Sequence, residues 1–562
     1  MGKALLSDDD MKRLPLGMQS FSAMRKDGVI YVDKTKMIRR LAWIEGPPVY
    51  ITRPRRFGKS LLASAFKALF SGGLRDFKGL DIDTGENKWT DRTYKVVHLD
   101  FSKYASCSGA ELEEMLTRDL TSQLSDICSI SPRDARGDYY WPGFIIHQAS
   151  KQIPDRSLVL LIEEYDSPGI HHVGNKGEMD KIMAVTWSFF ATVKSYEPKF
   201  RFVFITGTAR VGQVTLFSSA FDNLWDISSD DKYSALLGFT DEELRRYFDP
   251  YVRNAAAVLD MDVSEVYDFM KSQYGGFQFS IGAETTVYNP WSVLWFLAHP
   301  ERGFRDYWHA ASPVAPAVLL KCLENTDFRD RFNMLRYRMK DGILTDKLID
   351  DDKLMEKSEP DELPLEKLLY QTGYFTLRQE SRAHAILAFP NDEAAESLFR
   401  LYFDSNCMMP SEAARSRLAE AGALADSGAI AGIFEIFNEV LSDGAGSYDS
   451  SSHASLFDDE NTVRDFIYAL LPRGDFLKSR KSMSASGFSG MEIRTRATRL
   501  VIAFKMMRKG FSRKAAINEA LEQLRTYDSG VTPEGIKLIR VGMVISPARK
   551  KLTEYQILDD KA

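Results

Sequence analysis

The chain has 562 residues, of which 44% are hydrophobic and 27% are charged, and its formal net charge is −6. This length is too great for one hydrophobic core and indicates two to four domains. The small net charge excludes a generally basic nucleic-acid-binding protein, although it is compatible with a local basic groove. The four cysteines form no C-x-x-C pair, which argues against a structural zinc site and a disulfide scaffold.

The sequence shows no signal that directs a protein to a membrane. The N-terminus, MGKALLSDDDMKRL, has a short apolar pair followed by acids, so a signal peptide is not expected. Leu6 stands where a myristoylation signal needs Ser or Thr. Because no run of about 18 apolar residues occurs, we expect no membrane span and no membrane partner. The sequence therefore predicts a cytoplasmic protein.

The first predicted elements lead into a strand, a tight loop and a helix. A short strand is predicted over residues 29–32, and a helix is predicted to begin at residues 33–35. The stretch VYITRPRRFGKSLLASAFKALF (49–70) then has a β-rich start and apolar residues at helical spacing after Gly58. Such a loop presents backbone N–H groups to an anion; Lys59 could reach phosphate oxygens and Ser60 could ligate Mg²⁺. The alternative is a GKS tripeptide at an ordinary helix start, because Arg53 stands where G-x-x-x-x-G-K-[ST] requires Gly.

Acidic residues follow the next buried strand. Strands are predicted over 96–101 and 157–162, with a helix over 112–124 between them. The second strand is almost continuously apolar, which is typical of a strand covered on both faces, and it ends in Glu163, Glu164 and Asp166. A P-loop ATPase needs acids here, one for the Mg²⁺ shell and another to orient the attacking water. The alternative is a solvated acidic strand end.

A further apolar strand is predicted over 201–206, followed by polar residues that could sense a phosphate. Thr206 or Thr208 is the candidate, and Arg210 is either a finger or a surface charge. Strands alternating with helices predict an α/β fold of the P-loop NTPase type with a parallel sheet. Its ligand crevice lies at the carboxyl ends of the strands, so Lys59, Glu164 and Thr206 should converge.

The remainder of the chain indicates two further units. From Thr240, a predicted helix N-cap, the pattern becomes mainly helical, with a two-stranded piece around a turn at 379–383. Two amphipathic helices follow over 409–442, and the Gly/Ser/Asp-rich stretch 444–460 indicates a linker. The last unit has predicted helices over 460–471 and 515–527 and strands at 490–493, 499–505 and 539–545. Its acids and lysine suggest a metal-dependent phosphodiesterase site.

Seven segments, in their order and spacing, make the chain resemble bacterial proteins that join an AAA-ATPase-like domain to a C-terminal PD-(D/E)XK nuclease-like domain. They are YVDKT (31–35), RPRRFGKS (53–60), IEEYDSP (162–168), ITGTARV (205–211), YSALLGFTDEEL (233–244), YNPWSV (288–293) and FPNDEAAESL (389–398). In such proteins an Arg at the first Gly position is normal. The resemblance implies that Lys59 and Ser60 bind a triphosphate and Mg²⁺, and that the acids Glu163, Glu164 and Asp166 form the acidic shell. It also implies nucleotide contacts from Arg53, Arg56, Gly58, Thr206 and Arg210.

The resemblance fits the C-terminal unit less completely. A PD-(D/E)XK nuclease uses a helix Glu, a strand Asp and an acid-x-Lys, whose carboxylates bind Mg²⁺ while the Lys steadies a hydroxide. In this chain Glu460 corresponds to the helix acid, Glu492 to the Asp and Lys505 to the lysine, with Gln523 and Tyr527 on the motif helix. Ala503 replaces the acid before x-Lys, unless Glu519 or Glu522 takes its place.

These observations predict three domains and a function. The domains are an AAA-ATPase-like P-loop domain (1–240), a helical, winged-helix-like lid or adaptor (241–405), and a helical linker with a restriction-endonuclease-like α/β domain (406–562). We expect an ATP- and Mg²⁺-binding ATPase whose tail binds nucleic acid, DNA rather than RNA, with cleavage left open. The alternative is an ATP-regulated scaffold with a catalytically dead tail. A homo-oligomer is a candidate assembly, because ring formation is common among AAA-like proteins. Six basic residues could line a nucleic-acid groove, although a solvated charged face is the favoured alternative: Lys478, Arg480, Lys481, Arg494, Arg496 and Arg499.

Overall fold

The structure is a computed structural model that describes residues 12–558 except for a set of short segments. These segments are 86–87, 134–136, 138–139, 209–223, 309–313, 325, 341–342, 350–364, 382–383, 407, 447–454, 473–475, 484–487, 509, 511, 527–531 and 533–534. Two predicted site residues, Arg210 and Tyr527, therefore lie outside the described residues, as do residues 447–454 of the predicted linker. Among the described helices, none is long and apolar enough to cross a membrane.

The N-terminal part is built on a five-stranded sheet in which all neighbouring strands run parallel. The strands, in chain order, are β1 (Val49–Thr52), β2 (Lys95–Asp100), β3 (Leu158–Glu163), β4 (Phe200–Gly207) and β5 (Trp225–Asp226). Their spatial order is β2-β3-β4-β1-β5. Every residue of β1 and β3 is buried, as expected for strands covered on both faces. The predicted α/β fold with a parallel sheet is confirmed.

Among the described residues, seven helices accompany this sheet, and two apolar cores form on its opposite faces. The helices are α1 (Phe21–Lys26), α2 (Thr35–Ala42), α3 (Lys59–Gly72), α4 (Gly109–Leu124), α5 (Pro142–Ser150), α6 (Ser167–His171) and α7 (Lys176–Ser195). The core beside α3 contains Val159 and Leu161, and the opposite core contains Leu160 and Ile162. Alternate residues of one strand thus face opposite cores.

The predicted strand over residues 29–32 is wrong. These residues form no ladder with another strand, and the Ile30 N–H donates instead to the Arg13 carbonyl. Ile30 and Val32 are buried against helices of the next unit. Their apolar character therefore reflects side-chain packing of an extended connection rather than sheet formation.

A helical unit follows the parallel sheet. It begins with α8 (Asp241–Leu259), α9 (Val263–Tyr274) and α10 (Pro290–Ala298). The predicted N-cap is confirmed, because the Thr240 side chain accepts a hydrogen bond from the Glu243 N–H and Glu243 bonds back to the Thr240 N–H. Such a capping box satisfies two backbone donors that the helix itself leaves unpaired.

The chain next forms a small four-stranded antiparallel sheet with order β6-β7-β9-β8. The predicted two-stranded piece is β8 (Thr376–Gln379) with β9 (Ala385–Ala388), and β6 (Met339–Lys340) and β7 (Ile343–Ile349) extend it. The helices of this region are α11 (Val314–Glu324), α12 (Thr326–Arg338), α13 (Leu365–Thr372) and α14 (Asp392–Ser405). Three helices then replace the predicted two: α15 (Glu412–Arg417), α16 (Ala421–Ser427) and α17 (Ile430–Gly446).

The C-terminal unit is a five-stranded mixed sheet between two helices. After α18 (Glu460–Leu470) come β10 (Leu477–Met483), β11 (Phe488–Arg494), β12 (Thr498–Met506), α19 (Arg513–Thr526), β13 (Lys537–Ser546) and β14 (Lys551–Ile557). The first three strands are antiparallel, α19 connects the parallel pair β12 and β13, and β14 returns antiparallel. The sequence predicted only β11, β12 and β13. One apolar core contains Ile170, Ile281 and residues between Leu319 and Leu552, so it crosses the predicted boundary at 405/406.

Candidate functional site

The loop between β1 and α3 is shaped to leave the helix N-terminus open. Gly58 has φ +98° and Arg56 has φ +71°, so the chain turns through left-handed conformations before Lys59 begins α3. Gly supplies such a conformation without steric cost. No side chain caps the helix at Gly58, so the first N–H groups of α3 are not consumed by a cap. These groups and the positive end of the helix dipole favour an anion.

Lys59 is buried at the start of α3, and its ammonium group is bound within the loop. Its Nζ lies 2.8 Å from the Arg53 carbonyl oxygen and 3.2 Å from the Pro54 carbonyl oxygen. It also lies 3.4 Å from Glu164 Oε1 and 3.4 Å from Thr208 Oγ1. The loop, β3 and the end of β4 therefore meet at this one cation.

Glu164 follows β3 in a left-handed conformation with φ +49°, which turns its carboxylate toward Lys59. Its backbone N–H lies 3.4 Å from Thr206 Oγ1, and Thr208 Oγ1 lies 3.3 Å from Glu164 Oε2. Burial opposes ionisation, but Lys59 and Arg55 outweigh it and hold the pKa of Glu164 below its usual value. The carboxylate is thus ionised at neutral pH.

Asp166 fixes the end of β4 against β3. Its Oδ2 accepts a hydrogen bond of 2.9 Å from the Thr208 N–H. Gly207 permits this approach, because a Cβ there would lie 2.6 Å from the Tyr165 ring and 3.0 Å from Asp166 Oδ1. Asp166 therefore positions Thr208, which in turn contacts Glu164 and Lys59.

Glu163 points to a different neighbour from Glu164. Glu163 Oε1 lies 2.6 Å from His98 Nε2. His98 belongs to β2 and was not among the predicted site residues. His98 is two residues from Asp100, and Asp100 pairs with Glu163 in the sheet register. The sequence signal for His98 was a polar residue on the same face of the sheet as the acids Asp100 and Glu163. The two consecutive acids thus belong to two separate contacts.

The Arg53 side chain does not lie at this site, contrary to prediction. Its guanidinium is buried and donates to the carbonyls of Thr52 and Ser228 at 2.8 and 2.7 Å. It also stacks over the Phe279 ring at 4.1 Å. The enclosed guanidinium therefore supports the loop. At the site itself, Arg53 contacts Lys59 through its carbonyl oxygen.

Arg56 lies at the cavity, over the Trp291 ring at 4.0 Å from the ring centre. Burial, and then the neighbouring charge of Arg55, lower the pKa of Arg56, whereas Glu164 raises it. A cation over an indole face is attracted by the ring quadrupole. This contact joins the loop to α10 of the helical unit.

A cavity of about 360 Å³ opens beside the loop. Gly58, Lys59, Ser60 and Glu164 line one part of it, together with Asp100. The other part is mainly apolar and is lined by residues from the N-terminal segment, the stretch before α8, α8 and α10: Met18, Ile30, Val32, Leu237, Phe239, Phe248 and Leu294. The cavity thus combines charged groups around a helix N-terminus with an apolar recess.

In the C-terminal unit, Lys505 and Glu460 are brought together. Lys505 Nζ lies 2.8 Å from Glu460 Oε1 and 3.5 Å from Glu519 Oε1, and the Met506 N–H donates to Glu460 Oε2 at 3.0 Å. Glu522 instead pairs with Arg525, on the same helix. Gln523 lies on α19, as predicted from the motif helix.

Glu492 does not join that group, contrary to prediction. It forms a two-point ion pair with Arg499, with distances of 2.8 and 3.2 Å. In the register of β11 with β12, Glu492 is opposite Val501, whereas Ala503 is opposite Gly490. Two positions beside Lys505 that could carry carboxylates are therefore Ala and Gly. Within the described part of the chain, no three His, Cys, Asp or Glu side chains cluster as a metal site.

Of the four predicted groove residues whose side chains are described, three form ion pairs within the protein. Lys478 is buried and lies 3.2 Å from Glu396, and Arg494 pairs with Glu265 of α9 at 2.8 Å. Arg499 is held by Glu492, whereas Arg496 is exposed. The side chains of Arg480 and Lys481 lie outside the described residues.

The parallel sheet, the open helix N-terminus and the buried lysine define a P-loop NTPase-like domain. Residues 15–217 match the model of the AAA-ATPase-like family, described as "Predicted AAA-ATPase". The chain is also similar to an uncharacterized protein in the vnfD 5′ region of Azotobacter chroococcum mcd 1. The two are 29% identical over 394 residues, which is 69% of each chain. Residues 15–217 are therefore similar to the AAA-ATPase-like family.

Proposed function

We propose that the protein binds ATP with Mg²⁺ in the cavity beside Lys59 and hydrolyses it. The observation that supports this most directly is the position of Lys59, buried at an uncapped helix N-terminus and 3.4 Å from the Glu164 carboxylate. A triphosphate would take the place of the Arg53 and Pro54 carbonyls as partner of the Lys59 ammonium. The apolar recess would receive the base.

The acidic residues have distinct roles in this proposal. Glu164, ionised through its contacts with Lys59 and Thr208, orients the attacking water and accepts its proton. Asp166 holds Thr208 in place, so it acts as a positioning residue. Glu163 is the last residue of β3, and its carboxylate is held by His98 of the neighbouring strand β2.

The donor set beside the loop suits Mg²⁺, which prefers oxygen ligands and keeps several waters. Ser60 and Asp100 line the cavity, and the Ser60 hydroxyl is the direct ligand expected; the Glu163 carboxylate is on the strand end next to Asp100 in the sheet register. When bound, the ion neutralises charge on the phosphates. Arg56 faces the same cavity and would add positive charge there.

Calorimetric titration with ATPγS and Mg²⁺, followed by a phosphate-release assay, tests this proposal. Lys59→Ala should abolish binding, because the buried cation at the helix N-terminus is lost. Lys67→Ala is the matched control, since Lys67 is an exposed lysine of the same helix. Binding by Lys59→Ala with unchanged affinity would reject the assignment.

For the C-terminal unit we propose a nuclease-like fold that has lost metal-dependent cleavage and serves as a binding module. The α-β-β-β-α-β order and the Lys505–Glu460 pair support the likeness. Ala503 and Gly490 support the loss, because they leave the strand positions beside Lys505 without carboxylates. These residues do not form a suitable Mg²⁺ set. DNA remains the proposed partner, with the exposed Arg496 as one contact.

A cleavage assay on linear, circular and single-stranded DNA and on RNA tests this second proposal. It uses Mg²⁺ or Mn²⁺, with and without ATP. We expect no metal-dependent cleavage of any substrate, and electrophoretic mobility shifts that weaken as salt rises. Cleavage by the wild-type chain that disappears in Lys505→Ala would show an active nuclease instead.

A further inference from the structure

The loop between β1 and α3 is hydrogen-bonded to Trp308, a residue far along the chain. The indole Nε1–H of Trp308 donates to the carbonyl of Arg55, a loop residue, at 3.2 Å. The backbone N–H of Trp308 donates to Glu393 Oε1 at 3.1 Å. A single buried residue thus connects the loop to the first turn of α14.

Glu393 joins two other segments of the chain to α14. It is fully buried and accepts a hydrogen bond from the Tyr307 N–H at 2.8 Å, in addition to that from Trp308. The Ser292 hydroxyl oxygen lies 3.0 Å from Glu393 Oε1 and 2.8 Å from Glu393 Oε2, within hydrogen-bond distance of both. Ser292 belongs to α10, next to Trp291, which stacks on Arg56 of the loop. The beginning of α14 therefore contacts the nucleotide site by two routes.

One turn further along, α14 contacts the C-terminal unit. Glu396 is buried and lies 3.2 Å from Lys478 Nζ, which also donates to two carbonyls at the end of α18. Arg400 donates to the Ala469 carbonyl of α18 at 2.9 Å. At its other end, α18 carries Glu460, the partner of Lys505 on β12.

From these contacts we infer that α14 couples the nucleotide site to the C-terminal unit. Nucleotide binding moves the loop and with it the Arg55 carbonyl that Trp308 holds, and Glu393 passes the displacement to α14. Glu396 and Arg400 then pass it to α18 and to the Lys505–Glu460 pair. Packed helices with buried polar contacts transmit such shifts because they are close-packed and cannot deform continuously. The inference rests on the proposed binding of ATP.

Hydrogen–deuterium exchange of the full-length chain, with and without ATPγS and Mg²⁺, tests the coupling. In the wild type, we expect nucleotide to change exchange in α18 and β12 by about fivefold or more. Trp308→Phe keeps an aromatic side chain but removes the donor to Arg55, and Arg400→Ala removes the contact with α18. Both variants should lose most of that change.

Two controls separate coupling from damage to the fold. Trp295→Phe removes an indole N–H for which the described residues offer no hydrogen-bond partner. Arg415→Ala removes an exposed arginine. In both variants, nucleotide should change hydrogen exchange in α18 and β12 as much as in the wild type. Calorimetry on the same samples should show that Arg400→Ala binds ATPγS as the wild type does. Binding without any change in α18 and β12, or an unaltered change in both test variants, overturns the coupling alone. Absence of binding by the wild type overturns the proposed function and the coupling with it.

Discussion

His98 Nε2 lies 2.6 Å from Glu163 Oε1, across the carboxyl ends of the neighbouring strands β2 and β3. The His98 backbone is fixed as well, because its N–H and carbonyl both bond to the Gln123 side chain, at 2.8 and 2.9 Å. Gln123 thereby occupies the free edge of β2 at this residue. The geometry holds the Glu163 carboxylate at one orientation and leaves Glu164 as the acid that contacts Lys59.

We predict that His98→Ala lowers kcat for ATP hydrolysis by about 10- to 100-fold, which is typical when the residue that orients a metal-site ligand is lost. The dissociation constant for ATPγS should stay within about threefold of the wild type, because Lys59 and the loop are unchanged. Phosphate release and calorimetry measure the two quantities. His384→Ala, on an exposed loop of another sheet, should leave both unaltered.

The same contact predicts non-additive effects. If His98 acts by positioning Glu163, the double variant His98→Ala/Glu163→Gln should be no slower than Glu163→Gln alone. Losses of kcat that multiply would show that the two residues act independently.

Gly373 provides a test of how the loop is supported. It has φ +90°, and a Cβ there would lie 2.8 Å from Pro54 and 2.7 Å from the Trp308 ring. We predict that Gly373→Ala costs about 1–2 kcal/mol for the left-handed backbone, plus the cost of displacing Pro54. Thermal unfolding should show a lower Tm, and calorimetry should show weaker binding of ATPγS.

The control for this variant is Gly79→Ala. Gly79 has φ +78° but nothing within 4 Å of its Cβ position, so the variant carries the backbone strain without the clash. It should lower Tm less than Gly373→Ala and leave binding unchanged. Equal effects of the two substitutions on binding would remove the link between Gly373 and the loop.

The parallel sheet could be predicted because its strands are short, apolar and followed by polar residues. Parallel topology alone brings strand ends together, and Lys59, Glu164 and Thr206 do lie at one edge of the sheet. The strand prediction over residues 29–32 was wrong because β-rich residues also occur in buried connections. Local pattern cannot tell whether a partner strand is available.

The individual contacts of charged side chains could not be predicted in the same way. Arg53 is a loop residue by sequence, but Phe279 and Ser228, more than 170 positions away, determine where its guanidinium lies. Glu492 matched a nuclease motif by order, yet strand register places it opposite Val501 and within reach of Arg499. Register depends on pairing, which a single sequence does not display.

Glu393 should give the protein a measurable pH dependence. Burial, and then Asp306, raise the pKa of this carboxyl well above its usual value of 4.5. The folded state therefore holds the proton longer than the unfolded state, so stability should fall as pH rises from about 4.5 toward the raised pKa. Glu393→Gln cannot ionise and should lack this part of the decline.

Tm measured between about pH 5 and pH 8 checks this prediction, because only the difference in slope between variant and wild type reports on Glu393. Glu435→Gln is the control, since Glu435 is exposed and should leave the slope unchanged. The same slope in Glu393→Gln and wild type would show that this carboxyl is already ionised across the range.

Variants of the Glu492–Arg499 pair distinguish a structural role of Glu492 from a metal-binding role. Both side chains are buried, so Arg499→Ala removes the two-point ion-pair partner of a buried carboxylate and should cost about 3–5 kcal/mol, measured by denaturant unfolding. Arg496→Ala, which changes an exposed arginine nearby, should cost almost nothing. The double variant Glu492→Gln/Arg499→Met should recover most of the loss, because it removes both charges together. If Arg499→Ala were no more harmful than Arg496→Ala, and Glu492→Gln instead abolished Mn²⁺ binding, Glu492 would be a metal ligand after all.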